Sequence, residues 1–269
     1  MNMVSTIARA DSRTRCNACT ARHQCLFAGV ETQHAESFNE AREAVRLLHK
    51  RDALFESGDE FDAIYVVRSG TLKTTYTNED GVEHITGFHL PGNIIGLDGF
   101  ADKRYTTTAV ALETSSVCEY RFEDLIALST RSPGLQARLW HQVSREISNR
   151  EKLALALGHS HADARVAGFL LDTASRYRKI GYSGNTFRLP MTRQDIACHL
   201  GLTVETVCRV LTRFQETGLI TREQREIKLV DTDTLESLSL GHKVDETART
   251  GKRVQRSTNF SYGNAKVAA

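Results

Sequence analysis

Three cysteines, Cys16, Cys19 and Cys25, fall within ten residues of a chain that holds only six. The spacing Cys-x2-Cys-x5-Cys puts three thiolates on one short segment, and thiolates are the ligands preferred by iron–sulfur clusters and by tetrahedral zinc. Either group wants a fourth ligand from elsewhere in the chain. Spacing alone leaves three outcomes open: a cluster, a zinc ion, or unliganded thiols. The first fifteen residues carry no apolar run of the kind a secretion signal needs, so a disulfide framework is the weaker account. By strand alternation Cys118 shares a face with Tyr120 and Phe122, which taken alone reads as a core cysteine.

Cys198 and Cys208 lie in an element of another kind. Residues 192–217 read as two short helices and a tight turn, the construction of a helix-turn-helix. Thr192 and Asp195 form a capping box, with Ile196, Ala197 and Leu200 on the buried side. Gly201 sits where a left-handed residue is needed. Thr203 caps the second helix, Val207, Val210, Leu211 and Phe214 form its inner face, and Gly218 stops it. Outward it presents Glu205, Cys208, Arg209 and Thr212. A guanidinium such as Arg209 can bond O6 and N7 of guanine together, and Glu205 can accept from the cytosine amino group. Thr206 and Arg213 suit phosphates, which position without specifying. Residues 219–230, with Arg222, Arg225 and Lys228, read as a wing hairpin. A winged helix that binds protein, with Glu205 and Arg209 as a surface ion pair, is the competing account; the local balance over 191–230 is only +1.

Other elements must carry these groups. Ser132-Pro133 opens a long helix with Gly158 as its natural end. Along it Trp140, Val143, Ile147, Arg150, Ala154 and Leu157 recur at steps of 3, 4, 3, 4 and 3. That is a heptad seam, or the core face of an ordinary amphipathic helix; the period alone does not choose. Residues 53–122 read as short strands punctuated by turns, among them Asp80-Gly81 between two β-prone runs, which predicts a closed or rolled β structure. Residues 39–49 predict a helix, with Ala44, Leu47 and Leu48 as its apolar stripe. A further helix is expected over 162–177, followed by a glycine turn at 181–184.

Composition sets wide bounds. With 40% apolar and 25% charged residues and a net charge of +2, the chain is that of a soluble globular protein, and bulk charge argues for no partner. No run approaches the 18 apolar residues of a membrane span, so no membrane partner and a cytoplasmic location are expected. Residues 241–269 hold six basic residues against two acidic ones and read as a disordered basic tail.

The stretch Met191-Thr-Arg-Gln-Asp-Ile-Ala-Cys-His-Leu-Gly-Leu-Thr-Val-Glu-Thr-Val-Cys-Arg-Val-Leu-Thr-Arg-Phe-Gln closely resembles the helix-turn-helix of the FNR/CRP family of bacterial regulators. Val67-Arg-Ser-Gly-Thr-Leu-Lys, Ile85-Thr-Gly-Phe-His-Leu-Pro-Gly and Ala111-Leu-Glu-Thr-Ser-Ser-Val-Cys-Glu resemble its FNR branch. The resemblance implies an α+β fold: a cyclic-nucleotide-binding-like β-roll sensor domain, a long dimerisation helix and a C-terminal winged helix-turn-helix. The expected division is a cysteine segment over 1–38, the β-roll over 39–131, the dimerisation helix over 132–158, the DNA-binding domain over 159–240 and the tail over 241–269.

The resemblance also implies an oxygen-responsive transcription regulator. Cys118 would join Cys16, Cys19 and Cys25 around a 4Fe–4S cluster whose integrity favours a homodimer on double-stranded, TTGAT-like palindromic DNA. Glu205 and Arg209 match the family's base-reading residues, Cys208 stands in a serine place, and Val204 replaces the arginine of the CRP branch. Arg150 stands where well-studied FNR proteins are acidic, so Glu146 or Glu151 of the partner subunit would have to neutralise it. Loops 78–84 and 180–188 are the expected contacts for RNA polymerase. A cyclic-nucleotide receptor is disfavoured because Leu97 replaces the glutamate of the phosphate-binding segment. A cysteine-ligated electron-transfer protein would leave 192–218 without a use.

Overall fold

Asp80-Gly81 turns the chain back on itself. Gly81 takes a φ of 78°, and the runs on either side pair as antiparallel strands, β5 (Leu72–Thr77) and β6 (Glu83–His89). The structure, a computed structural model, describes residues 9–10, 19–27, 42–159 and 161–242. Cys16, the N-terminal residues 1–8 and all but two residues of the basic tail lie outside them.

Two antiparallel sheets form the roll. One has the order β1 (Arg9–Ala10), β2 (Arg42–Leu48), β9 (Ser115–Arg121), β4 (Ala63–Ser69) and β7 (Ile94–Ile95). The other runs β3 (Ala53–Phe55), β8 (Thr108–Ala111), β5, β6, which leaves β6 on an edge. Ala63 to Val67 are all buried, as an apolar strand covered on both faces must be. Strand β9 is likewise buried from Ser115 to Tyr120, so Cys118 sits in a wall closed on both sides and not on one apolar face. Phe122, expected on that face, instead begins helix α1 (Phe122–Arg131).

Residues 42–48 form a strand, which overturns the helix expected over 39–49. The stripe of Ala44, Leu47 and Leu48 is too short to outweigh a ladder that the tertiary fold offers. Val45 pairs with Cys118 and is buried, while Leu47 points outward and is 42% exposed. An irregularity between Arg42 and Ala44 puts Ala44 and Val45 both inside, which hides the alternation in the sequence. The ladder also brings Arg46 to the buried carboxylate of Glu119, with Nε donating to Oε2 at 2.7 Å.

Helix α2 spans Pro133–His159, passing Gly158 by one residue; at its start the Ser132 hydroxyl accepts from Leu135 N at 3.4 Å. Helix α3 (Ala162–Lys179), strand β10 (Thr186–Arg188), helices α4 (Arg193–Leu200) and α5 (Val204–Glu216), strands β11 (Ile220–Glu223) and β12 (Glu226–Leu229), and helix α6 (Thr232–Ser239) complete the chain. The wing is a three-stranded sheet, β10-β12-β11, because Thr186–Arg188 adds a strand inside the loop read as 180–188.

His89, at the end of β6, is buried, and its Nε2 lies 2.9 Å from the Thr74 hydroxyl. Burial pushes the imidazole from 6.5 down to about 4; Glu146 and Asp98 oppose the shift, and Arg176 and Arg150 add to it. Between those values the unfolded chain binds a proton that the folded chain refuses, so stability falls as the pH drops from 6.5 to 4. In denaturant melts His89→Gln should lose less stability across this window than the parent, by on the order of 3 kcal/mol. Parallel pH profiles would contradict this assignment.

Candidate functional site

Helix α4 starts where the sequence places it. Thr192 N donates to Asp195 Oδ2 at 2.8 Å and Asp195 N donates to Thr192 Oγ1 at 3.1 Å, a closed capping box. Burial pushes the Asp195 carboxyl up, but hydrogen bonds from Thr192 and the Lys73 ammonium together hold it below its ordinary value. Gly201 ends the helix with φ 59° and ψ 41°. A Cβ there would meet Leu157 at 3.3 Å, so the turn packs directly on the end of α2. Helix α5 is capped by Thr203, whose hydroxyl accepts from Thr206 N at 3.1 Å. Val207, Val210, Leu211 and Phe214 are buried together with Ile196 and Leu200.

The opposite face of α5 is open. Glu205, Arg209 and Thr212 are exposed and Cys208 is half-buried. Among the described residues no ion pair joins Glu205 to Arg209, so the carboxylate and the guanidinium both stay open to solvent. Two expected phosphate contacts are engaged within the protein. The Thr206 hydroxyl shares a 2.8 Å hydrogen bond with Thr203, and Arg213 pairs with Asp163 in the first turn of α3.

Sequence reasoning missed three basic residues of this region. Arg193, first in α4, is held below the ordinary guanidinium range by burial and then by the nearby charges of Arg222 and Arg225; Cys208 lies in the same neighbourhood. The charges of Arg193, Arg222 and Arg225 therefore act on one another. The signal for Arg193 was its place directly after a capping residue. Arg165 donates from Nη2 to Leu157 O at 2.8 Å and from Nη1 to Leu200 O at 3.0 Å and Gly201 O at 3.3 Å. Lys73 reaches Asp195 from β5, across 122 residues of sequence. Neither of these left a local trace.

The described cysteines of the N-terminal segment sit against the roll and α2. Cys19 precedes a 3-10 helix, Thr20–His23, and Cys25 N closes a bond to Ala21 O at 2.9 Å. Leu26 is fully buried in the same core that contains Cys118, with Cys25 packed against it; Phe27 meets Tyr120 at a tilt of 52°, with ring centroids 4.9 Å apart. From α2, Gln142 Nε2 donates to Gln24 O at 3.2 Å and Arg138 Nη2 to Cys25 O at 3.4 Å. A Cβ on Gly92 would lie 2.7 Å from that of Gln24, so the roll clamps the segment from its other side. Arg138 Nε is buried and finds no hydrogen-bond partner among the described residues. No cluster of three His, Cys, Asp or Glu side chains forms a metal site among the described residues, and Cys16 is not one of them.

Along α2 four of the six heptad residues face outward. Trp140 is 68% and Ile147 53% exposed, Arg150 and Ala154 are exposed, and Val143 and Leu157 are half-buried. Leu155, 64% exposed, belongs to the same open helix although it is outside the seam. Arg150 Nε bonds Glu146 Oε1 of its own helix at 3.1 Å, so its charge is answered within the chain.

Comparison with known proteins agrees with this architecture. Residues 164–238 match the Crp-like helix-turn-helix domain and residues 45–132 the cyclic nucleotide-binding domain. The chain is 42% identical over 240 residues to the transcriptional activator protein anr of Pseudomonas aeruginosa, covering 89% of this chain and 98% of that protein. It is 37% identical over 227 residues to the fumarate and nitrate reduction regulatory protein of Escherichia coli, covering 84% and 90%. Among solved structures it resembles FixK2 from Bradyrhizobium japonicum, with a TM-score of 0.66, 27% identity, and coverage of 75% and 98%. A β-roll, a long helix and a winged helix-turn-helix, matched at these identities over most of their length, place the chain in the Crp/FNR family of transcription regulators.

Proposed function

We propose that this regulator responds to oxygen: it binds TTGAT-like palindromic DNA as a homodimer while a 4Fe–4S cluster is held by Cys16, Cys19, Cys25 and Cys118. The observation that carries the reading is the seating of the cysteine segment. Through Gln142 and Arg138 it is fastened to the same helix that bears the open apolar seam. The residues present suit such a group. Cys25 and Cys118 border one core, and the buried Nε–H of Arg138 beside Cys25 lacks the acceptor that an anionic, sulfur-rich group offers. Bound there, the cluster would supply reactivity toward oxygen.

The chain's own residues would do the rest. Trp140, Val143, Ile147, Ala154 and Leu157 would pack on their copies about a two-fold axis, with Arg150 tolerated there because Glu146 neutralises it. Glu205 and Arg209 would read base edges, with Cys208 as a weaker donor in the serine place. Arg193, Arg222 and Arg225 would face the sugar-phosphate backbone; Thr206 and Arg213 would reach it only after leaving Thr203 and Asp163. The exposed tip of the β5–β6 hairpin, 78–84, and the loop at 180–188 would meet RNA polymerase in the cytoplasm.

One carboxylate supports this reading over a cyclic-nucleotide receptor. Asp98 Oδ2 accepts from Thr106 N and Oγ1 at 3.1 and 2.8 Å, and from Thr107 N and Oγ1 at 3.0 and 2.9 Å. An anion of the chain itself therefore uses the donors at the segment where the resembling receptors bind phosphate.

Protein purified without air should carry about four irons and as much sulfide per chain, with a visible absorption that bleaches in air; colourless protein, or zinc in place of iron, would contradict the cofactor. Arg209→Ala and Glu205→Ala should each weaken specific DNA binding by about 1–3 kcal/mol in anisotropy titrations. Unchanged affinity would remove α5 from base reading. Calorimetric titration with cyclic AMP should give no binding heat, and micromolar binding would revive the receptor reading.

A further inference from the structure

Strand β6 is the outer strand of its sheet, and an outer strand exposes backbone donors and acceptors that must be satisfied or shielded. Here helix α4 satisfies them with side chains. Ile85 N donates to Cys198 Sγ at 3.3 Å, and Cys198 Sγ donates to Glu83 O at 3.2 Å. His199 Nδ1 lies 3.1 Å from Ile85 O; the carbonyl only accepts, so Nδ1 carries the proton. Burial lowers the His199 pKa, while the hydrogen bond to Ile85 O opposes the shift. Cys198 and His199 thus stand in for a neighbouring strand.

Charge and apolar surface reinforce the same seat. Lys73 Nζ lies 3.1 Å from Glu83 on its own hairpin and 3.1 Å from Asp195, the capping-box acid of α4. Ile85, Phe88 and Leu112 of the roll belong to the core of the helix-turn-helix unit, and Phe88 meets His199 edge-on with centroids 5.0 Å apart. Arg176 of α3 completes the seat by donating to Asn93 Oδ1 at 2.8 Å and to Phe88 O. The polar contacts from the roll to the unit fall on α4 and α3. None uses the outward residues of α5, so the seated unit keeps Glu205 and Arg209 free to enter a groove.

We propose that the edge of β6 is a docking seat that fixes the pose of the helix-turn-helix, with Lys73 and Cys198 as positioning residues for DNA recognition. The inference rests on the proposed reading of α5 as the DNA-contacting helix. If the seat is lost, the competent pose becomes one of several, and apparent affinity falls by the fraction of time it is occupied.

The test uses the full-length protein, purified without air, with Lys73→Met, Lys73→Arg and Cys198→Val, the last removing the two edge hydrogen bonds that Cys198 makes. Binding to a TTGAT-like palindrome is titrated across a range of salt, and hydrogen exchange is followed over residues 83–89 and 193–200. Lys73→Met and Cys198→Val should each weaken binding about tenfold or more and speed exchange at the seat. The slope of log affinity against log salt should stay that of the parent, and Lys73→Arg should restore binding. A slope reduced by about one would make Lys73 a phosphate contact and overturn the proposal. Parent-like affinity in both Lys73→Met and Cys198→Val, with exchange at the seat accelerated, would also overturn it. A parent protein without specific DNA binding would instead sink the reading of α5, and this inference with it.

Discussion

Arg165 holds three backbone carbonyls that no helix can satisfy for itself. Leu157 lies in the last turn of α2, and Leu200 and Gly201 end α4, where carbonyls lack internal partners. One guanidinium, planar and five-donor, closes both ends at once. A compact joint results: a shift of the long helix relative to the helix-turn-helix would break these three hydrogen bonds. Gly201 permits the close approach, and its left-handed conformation lets the two helices of the unit meet there.

Everything else that bears on function attaches to one side or the other of that joint. Upstream, α2 carries the cysteine segment through the carbonyls of Gln24 and Cys25 and offers an uncovered apolar stripe. Downstream, α4 is seated on the edge of β6 by Lys73, Cys198 and His199. The DNA-binding unit therefore meets the roll twice, by the long helix and by the hairpin. These supports are short polar contacts between the helix-turn-helix unit and the rest of the chain.

The fold was largely legible because its local signals agree with its packing. Capping box, left-handed glycine and inner apolar face all point to the same two helices, and Asp80-Gly81 marks its hairpin. The failures have physical causes. Residues 42–48 carry apolar side chains at helical steps, yet they complete a sheet around β9 through an irregular register, which periodicity cannot reveal. Thr186–Arg188 is three residues long and becomes a strand only because β12 is beside it. At the site, the outward face of α5 could be read from its period, whereas Lys73 and Arg165 act across contacts distant in sequence. That Arg213 and Thr206 are engaged internally also depends on neighbours no local pattern names.

In the proposed mechanism the occupied cysteine segment would favour pairing of two α2 helices. Sedimentation equilibrium measures that most directly, on one preparation kept without air and then exposed to it, with iron assayed in both. A dimer is expected while iron is bound, with dissociation toward monomer as iron is lost. The same association state in both conditions, with iron present in one and gone in the other, would contradict it.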